Sequence, residues 1–106
     1  MKKTIYVLLS IGIYCCTPKL APSSFTESDV ARGKAFWSDC SVAKLDAAHT
    51  LYMNKCASCH SLKAPESEDE AGWRKIVPPM AKKAKLSAEE ESQILNYVLT
   101  MREAKK

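Results

Sequence analysis

Two cysteines three positions apart, with a histidine directly after the second, constrain this 106-residue chain more than any other feature: Cys56-Ala57-Ser58-Cys59-His60. This is the pattern by which a c-type haem is attached. The spacing has a physical reason: two thiols so placed can each form a thioether to one of the two vinyl groups of a single haem. The imidazole next in the chain is then placed to offer a nitrogen to iron as the proximal ligand. Three other readings use the same residues. A redox dithiol usually accompanies a βαβ unit, and no strand pattern occurs here. A zinc site would recruit Cys40 or His49, although zinc pairs of this kind normally come as two separated knuckles. An iron–sulfur cluster wants four cysteines at family spacing.

The chain has five cysteines, and Cys15, Cys16, Cys40, Cys56 and Cys59 pair off neither by number nor by spacing. A regular disulfide framework is therefore not expected. With 46% hydrophobic residues the chain can build a core, which argues against global disorder. Its formal charge of +4, from 16 basic and 12 acidic residues, becomes 14 against 12 without Lys2 and Lys3. That is too mild for a nucleic-acid binder, and no basic stripe is interleaved with aromatics.

Lys2-Lys3 is followed by the apolar run Ile5 to Tyr14 and then by Cys15-Cys16. A charged start and an apolar stretch this short read as a secretory leader, since spanning a bilayer takes about twenty residues. The run ends on cysteine, which resembles a bacterial lipoprotein signal. Cys16 fits as the lipid-bearing residue, with Ile13 three places before it and the small Cys15 just before it. An uncleaved short anchor or an ordinary signal are the alternatives. Residues 1–15 are thus read as a signal peptide and 16–27 as a lipidated N-terminus and linker, rich in Pro and Ser. Residues 28–106 form the domain. A domain of that size buries only about 60–65% of its unfolded surface and often needs a cofactor or staple.

Only three glycines occur, and no run alternates like a half-buried strand. Helical signals are frequent. Ser67-Glu68-Asp69-Glu70 and Ser87-Ala88-Glu89-Glu90 both read as capping boxes. After the first, Trp73, Ile76, Val77, Met80 and Ala84 keep helical spacing; after the second, Ile94, Tyr97, Val98 and Met101 do. Earlier helices are expected over 43–55, with Leu45, Ala48, Leu51 and Tyr52 apolar, and more weakly over 28–37. Pro78-Pro79 should kink or break the third helix, because each proline removes a backbone donor. The expected class is all-α.

Leu51-Tyr52-x-x-x-Cys56-x-x-Cys59-His60 resembles the helix that enters the haem site in small bacterial cytochromes c of the class I type. Ile94-Leu95-Asn96-Tyr97-Val98 is similar to that family's C-terminal helix, whose aromatic packs across the first helix. Trp73-x-x-Ile76-Val77-x-x-Met80 is similar to a short-spaced subgroup in which the sixth ligand arrives soon after the attachment motif. The resemblance covers about residues 46–101. Ala48 stands where the family often has glycine, which predicts a looser helix crossing.

The residues alone leave four candidates for the sixth ligand: Met53, Met80, Met101 and His49. Met53 lies one turn before Cys56, Met101 falls on the last helix's apolar stripe, and His49 reads as a surface histidine. The resemblance implies Met80, which follows a proline as the family's ligand commonly does. It also implies that Trp73, Ile76 and Val77 line the haem pocket, although ordinary core positions would look the same. Pro65 falls where the family often places a proline, with neighbouring carbonyls to accept the imidazole N–H. Arg74, Lys75, Lys82, Lys83, Lys85, Lys55 and Lys63 would make a basic rim for an acidic redox partner, or simply a solvated face. Cys40 reads as a small buried hydrophobe.

The expectation is an exported, membrane-tethered cytochrome c-like domain with one covalent haem c, held by Cys56 and Cys59 and ligated by His60 and Met80. Cys16 would carry the lipid, on the periplasmic side of a bacterial membrane or at the cell surface. It would transfer single electrons to and from redox proteins, with no nucleic acid, small-molecule substrate or enzymatic activity. The alternatives are a haem sensor with an exchangeable sixth site and a non-haem zinc or dithiol lipoprotein.

Overall fold

The computed structural model describes residues 24–57 and 62–104. Cys16, Cys59 and His60 lie outside the described residues. Within them the chain is all-α: α1 (Glu27–Gly33), α2 (Val42–Cys56), α3 (Glu70–Lys83) and α4 (Ala88–Arg102), with one 3₁₀ turn at Pro65–Ser67.

Each helix start is set by a short polar side chain. Thr26 and Asp29 make a reciprocal capping box on α1, Ser41 accepts from the Lys44 N–H on α2, and Ser87 and Glu90 make the expected box on α4. The expected box at Ser67 is not formed. Pro65 opens the 3₁₀ turn, the Ser67 N–H bonds back to the Ala64 carbonyl, and Glu68 is extended, so α3 starts later. Its cap is Asp69, which accepts from the Gly72 N–H at 2.6 Å.

The ends differ from the sequence expectation at two places. The helix expected over 28–37 starts at Glu27 and ends at Gly33, followed by turns in which Ala35 and Phe36 bond back to Arg32 and Gly33. Chain packing reaches further back than residue 28, since Phe25 lies against the core. Pro78 and Pro79 do not break α3, which runs on to Lys83. Both prolines are exposed, so the carbonyls of Arg74 and Lys75 that lose helical donors lie on the solvated side. The opposite face buries Trp73, Val77 and Ala81, which holds the helix together from the core. At its C-terminus Leu86 N–H bonds to Ala81 O and Lys85 N–H to Lys82 O. This is a Schellman reversal with Lys85 at φ 57, where glycine is usual.

The core gathers around α4, which packs against α1, α2, α3 and the 3₁₀ turn. Being covered on several sides, it buries Leu99 and Thr100 besides the expected Ile94, Tyr97 and Val98. The Thr100 hydroxyl is satisfied by the Asn96 carbonyl at 2.7 Å. From α2 come Leu45, Ala48 and Tyr52. Ala48, at the position expected to face the helix crossing, is completely buried. Tyr97 of α4 stacks on α2, with its ring centroid 5.7 Å from Tyr52 and 5.6 Å from His49.

Candidate functional site

The C-terminal end of α2 delivers Tyr52 and Cys56 to one side, because residues four apart share a helix face. Trp73, Ile76, Val77 and Met80 repeat on the same principle along α3. These two faces, with Leu62, Leu86 and Ile94, enclose a partly open cleft of about 260 Å³. That lies just under the range of small-molecule sites, about 300 Å³ and upward. Every described residue assigned to the cofactor site from sequence therefore lines one cavity. Trp73 and Val77 are buried, whereas Ile76, Met80 and Cys56 are half-exposed at its wall.

Hydrogen bonds tie the wall to the chain at Lys63 and Pro65. The Tyr52 hydroxyl donates to the Lys63 carbonyl. The Trp73 indole N–H donates to the Pro65 carbonyl at 2.8 Å, so this carbonyl, weighed from sequence as an imidazole acceptor, already serves Trp73. The two rings meet edge to face, 6.5 Å between centroids. Burial pushes the Tyr52 phenol up to about 12, with the neighbouring Cys56 and Tyr97 adding to it.

The other candidates lie elsewhere. Met53 is 45% exposed and does not line the cleft. Met101 packs on the core. His49, expected at the surface, is instead half-buried between Phe25, 5.7 Å away, and Tyr97. Its position follows from α2 being covered on that side by Phe25, which the sequence assigned to a linker. Cys40 is buried, and desolvation pushes its thiol above the ordinary range. Neither Cys40 nor His49 shares the cleft with Cys56.

At the mouth stand Lys55, Lys63 and Lys83, all exposed. Two charges of the basic group are compensated locally: Lys63 pairs with Glu68 at 2.7 Å, and Arg74 with Glu70 at 2.7 Å. The residues that sequence reasoning did not assign to the cleft are Tyr52, Leu62, Ala81, Leu86 and Ile94. Tyr52 carried a signal in its spacing of four from Cys56, and Ile94 in its place on the apolar stripe of the last helix. Leu86 reaches the cleft through the Schellman reversal, which depends on a backbone conformation that lysine does not announce.

The donor set fits a flat apolar ring with anionic edge groups. A thiol and a thioether stand in an apolar wall, and ammonium groups stand at its rim. Among the described residues, no group of three or more metal-ligating side chains comes together, and no helix is long and apolar enough to cross a membrane. Comparison of the chain with protein families, curated proteins and solved structures gives no match.

Proposed function

We propose that the chain is a monohaem c-type electron carrier, similar in build to small class I cytochromes c. Cys56 and Cys59 would hold the haem, and His60 and Met80 would ligate its iron. The observation that carries this reading is the convergence of Cys56, Met80, Trp73, Ile76 and Val77 on one apolar cleft. When bound, the haem supplies a one-electron couple between ferrous and ferric iron. Trp73, Ile76 and Val77 exclude water from the cleft, and a drier site alters the balance between the two charge states. Met80 offers a thioether from within a helix, so its approach is held by the packing of α3 on α4 rather than by a free loop. Cys40 and His49, the further ligands a zinc site would need, are held on other parts of the fold, which favours haem over zinc. Export, a lipid on Cys16 and docking of an acidic redox partner at the lysine rim complete the proposal.

Production of the full chain alongside a haem-attachment system tests it. Haem is expected to stay on the chain after denaturation; its absence would favour the zinc or dithiol reading. Met80→Ala is expected to abolish the methionine-ligated spectrum, lower the reduction potential, and open the ferrous protein to carbon monoxide. Rapid, complete carbon monoxide binding by the unmutated protein at neutral pH would instead indicate an exchangeable sixth site.

A further inference from the structure

A row of aromatic rings leads from the cleft wall through the core to a half-buried pair, His49 and Phe25. Trp73 and Tyr52 meet with centroids 6.5 Å apart, and Tyr52 and Tyr97 at 5.7 Å. Tyr97 then lies 5.6 Å from His49 and 6.2 Å from Phe25. Trp73, Tyr52 and Tyr97, the readily oxidised members, are all buried. Trp73 and Tyr52 line the same cleft as Cys56 and Met80, whereas Tyr97 does not line it. Sulfur groups in such a cleft are the ones most open to oxidation.

The polar ends of the three rings differ in what they can do with a proton. The Trp73 indole N–H and the Tyr52 hydroxyl each donate to a backbone carbonyl, those of Pro65 and Lys63. A carbonyl accepts the hydrogen bond without taking up the proton, so an oxidising equivalent does not settle at either ring. Tyr97 instead lies within electrostatic reach of the Glu66 carboxylate. Glu66 is exposed, on the 3₁₀ turn that packs against α4, and a carboxylate there can take a proton and pass it to water.

We propose that Trp73, Tyr52 and Tyr97 form a relay that carries a one-electron oxidising equivalent from the cleft to Tyr97, away from the sulfurs of Cys56 and Met80. A high-potential one-electron oxidant at the cleft takes an electron from Trp73, Tyr52 refills Trp73, and Tyr97 refills Tyr52. The net change is one electron from Tyr97 to the oxidant and one phenolic proton to Glu66 and on to solvent. No bond between heavy atoms forms or breaks. The relay does not depend on what fills the cleft.

The full-length chain, produced with a haem-attachment system and held ferric where haem is attached, would be mixed with hexachloroiridate(IV). This anionic one-electron oxidant is drawn to the cleft mouth by Lys55, Lys63 and Lys83. Freeze-quench electron paramagnetic resonance reads the tyrosyl radical, and the part of the signal that Tyr97→Phe removes in each background belongs to Tyr97. Tyr52→Phe keeps a ring at the middle of the relay but not an oxidisable one. There the Tyr97 signal is expected to fall several-fold, while oxidation products at Trp73 and Met80, located by peptide mass, rise. Val98 is buried on α4 and is not aromatic, so Val98→Ala reports destabilisation alone and should match the unmutated chain. No Tyr97 radical in the unmutated chain, an unchanged Tyr97 signal in Tyr52→Phe, or an equal fall in Val98→Ala would overturn the relay. Covalent haem is scored separately on the denatured chains, so the haem reading stands or falls on its own.

Discussion

Gly33 shows how much one missing methyl group can decide. A Cβ there would stand 2.4 Å from Cys40 Sγ and 3.3 Å from Thr100 Cγ2. The glycine thus lets Cys40 press against the end of α1 while α4 closes from the other side. Gly33→Ala would gain at most about 1 kcal/mol of helix propensity, and overpacking costs about 1–3 kcal/mol. Net destabilisation is expected in urea unfolding. Cys40→Ala in the same chain removes the clashing sulfur and should return much of the loss, a non-additivity that a double-mutant cycle measures. Cys40 itself was legible as a small buried residue from its type. That its neighbour would be Gly33 was not, because the contact joins the end of α1 to the segment before α2, and their meeting is set by α4.

Caps and stripes operate at the scale of the element, and here the helices were largely readable. Ser87 and Glu90 cap α4 as their spacing implies, and α2 spans nearly the expected residues. The Ser67 box failed because Pro65 committed the backbone to a 3₁₀ turn first. The two prolines of α3 were read as breakers because propensity counts the lost donor and not the buried face opposite. Pro78→Ala restores an N–H to the Arg74 carbonyl. After allowing for greater freedom of the unfolded chain, it should raise stability by about 1–2 kcal/mol, seen as a higher urea midpoint. At α1, burial raises the Asp29 carboxyl, but the Thr26 N–H, the Arg32 side chain and the Thr26 hydroxyl outweigh it and leave it below its ordinary 3.8. A depressed carboxyl contributes stability above its unfolded value and loses it as pH falls through the folded one. Urea midpoints should therefore drop as pH falls below about 4, and Asp29→Asn should be less stable at neutral pH with a shallower drop.

For the whole molecule, α4 is the element on which the others converge, and Leu99 near its C-terminal end is fully buried. Leu99→Ala should cost about 2–5 kcal/mol, a large share of the roughly 5–15 kcal/mol that holds a domain folded. Thermal unfolding of the full chain checks this as a large fall in Tm. The sequence by itself determined the helical class, most helix positions and the residue types at 56–60, because caps, periodicity and motif spacing are local properties. It also singled out Trp73, Ile76, Val77 and Met80, since a stripe at helical spacing puts them on one face wherever that face is turned. Only the tertiary structure decided that this face meets Cys56 and Tyr52 across one cleft, and that His49 and Cys40 are held elsewhere. Those outcomes depend on contacts between segments far apart in the chain, such as the Tyr52 ring against Tyr97 and the approach of Gly33 to Thr100. No local pattern encodes such contacts, because they arise only when α1, α2 and α3 pack together on α4.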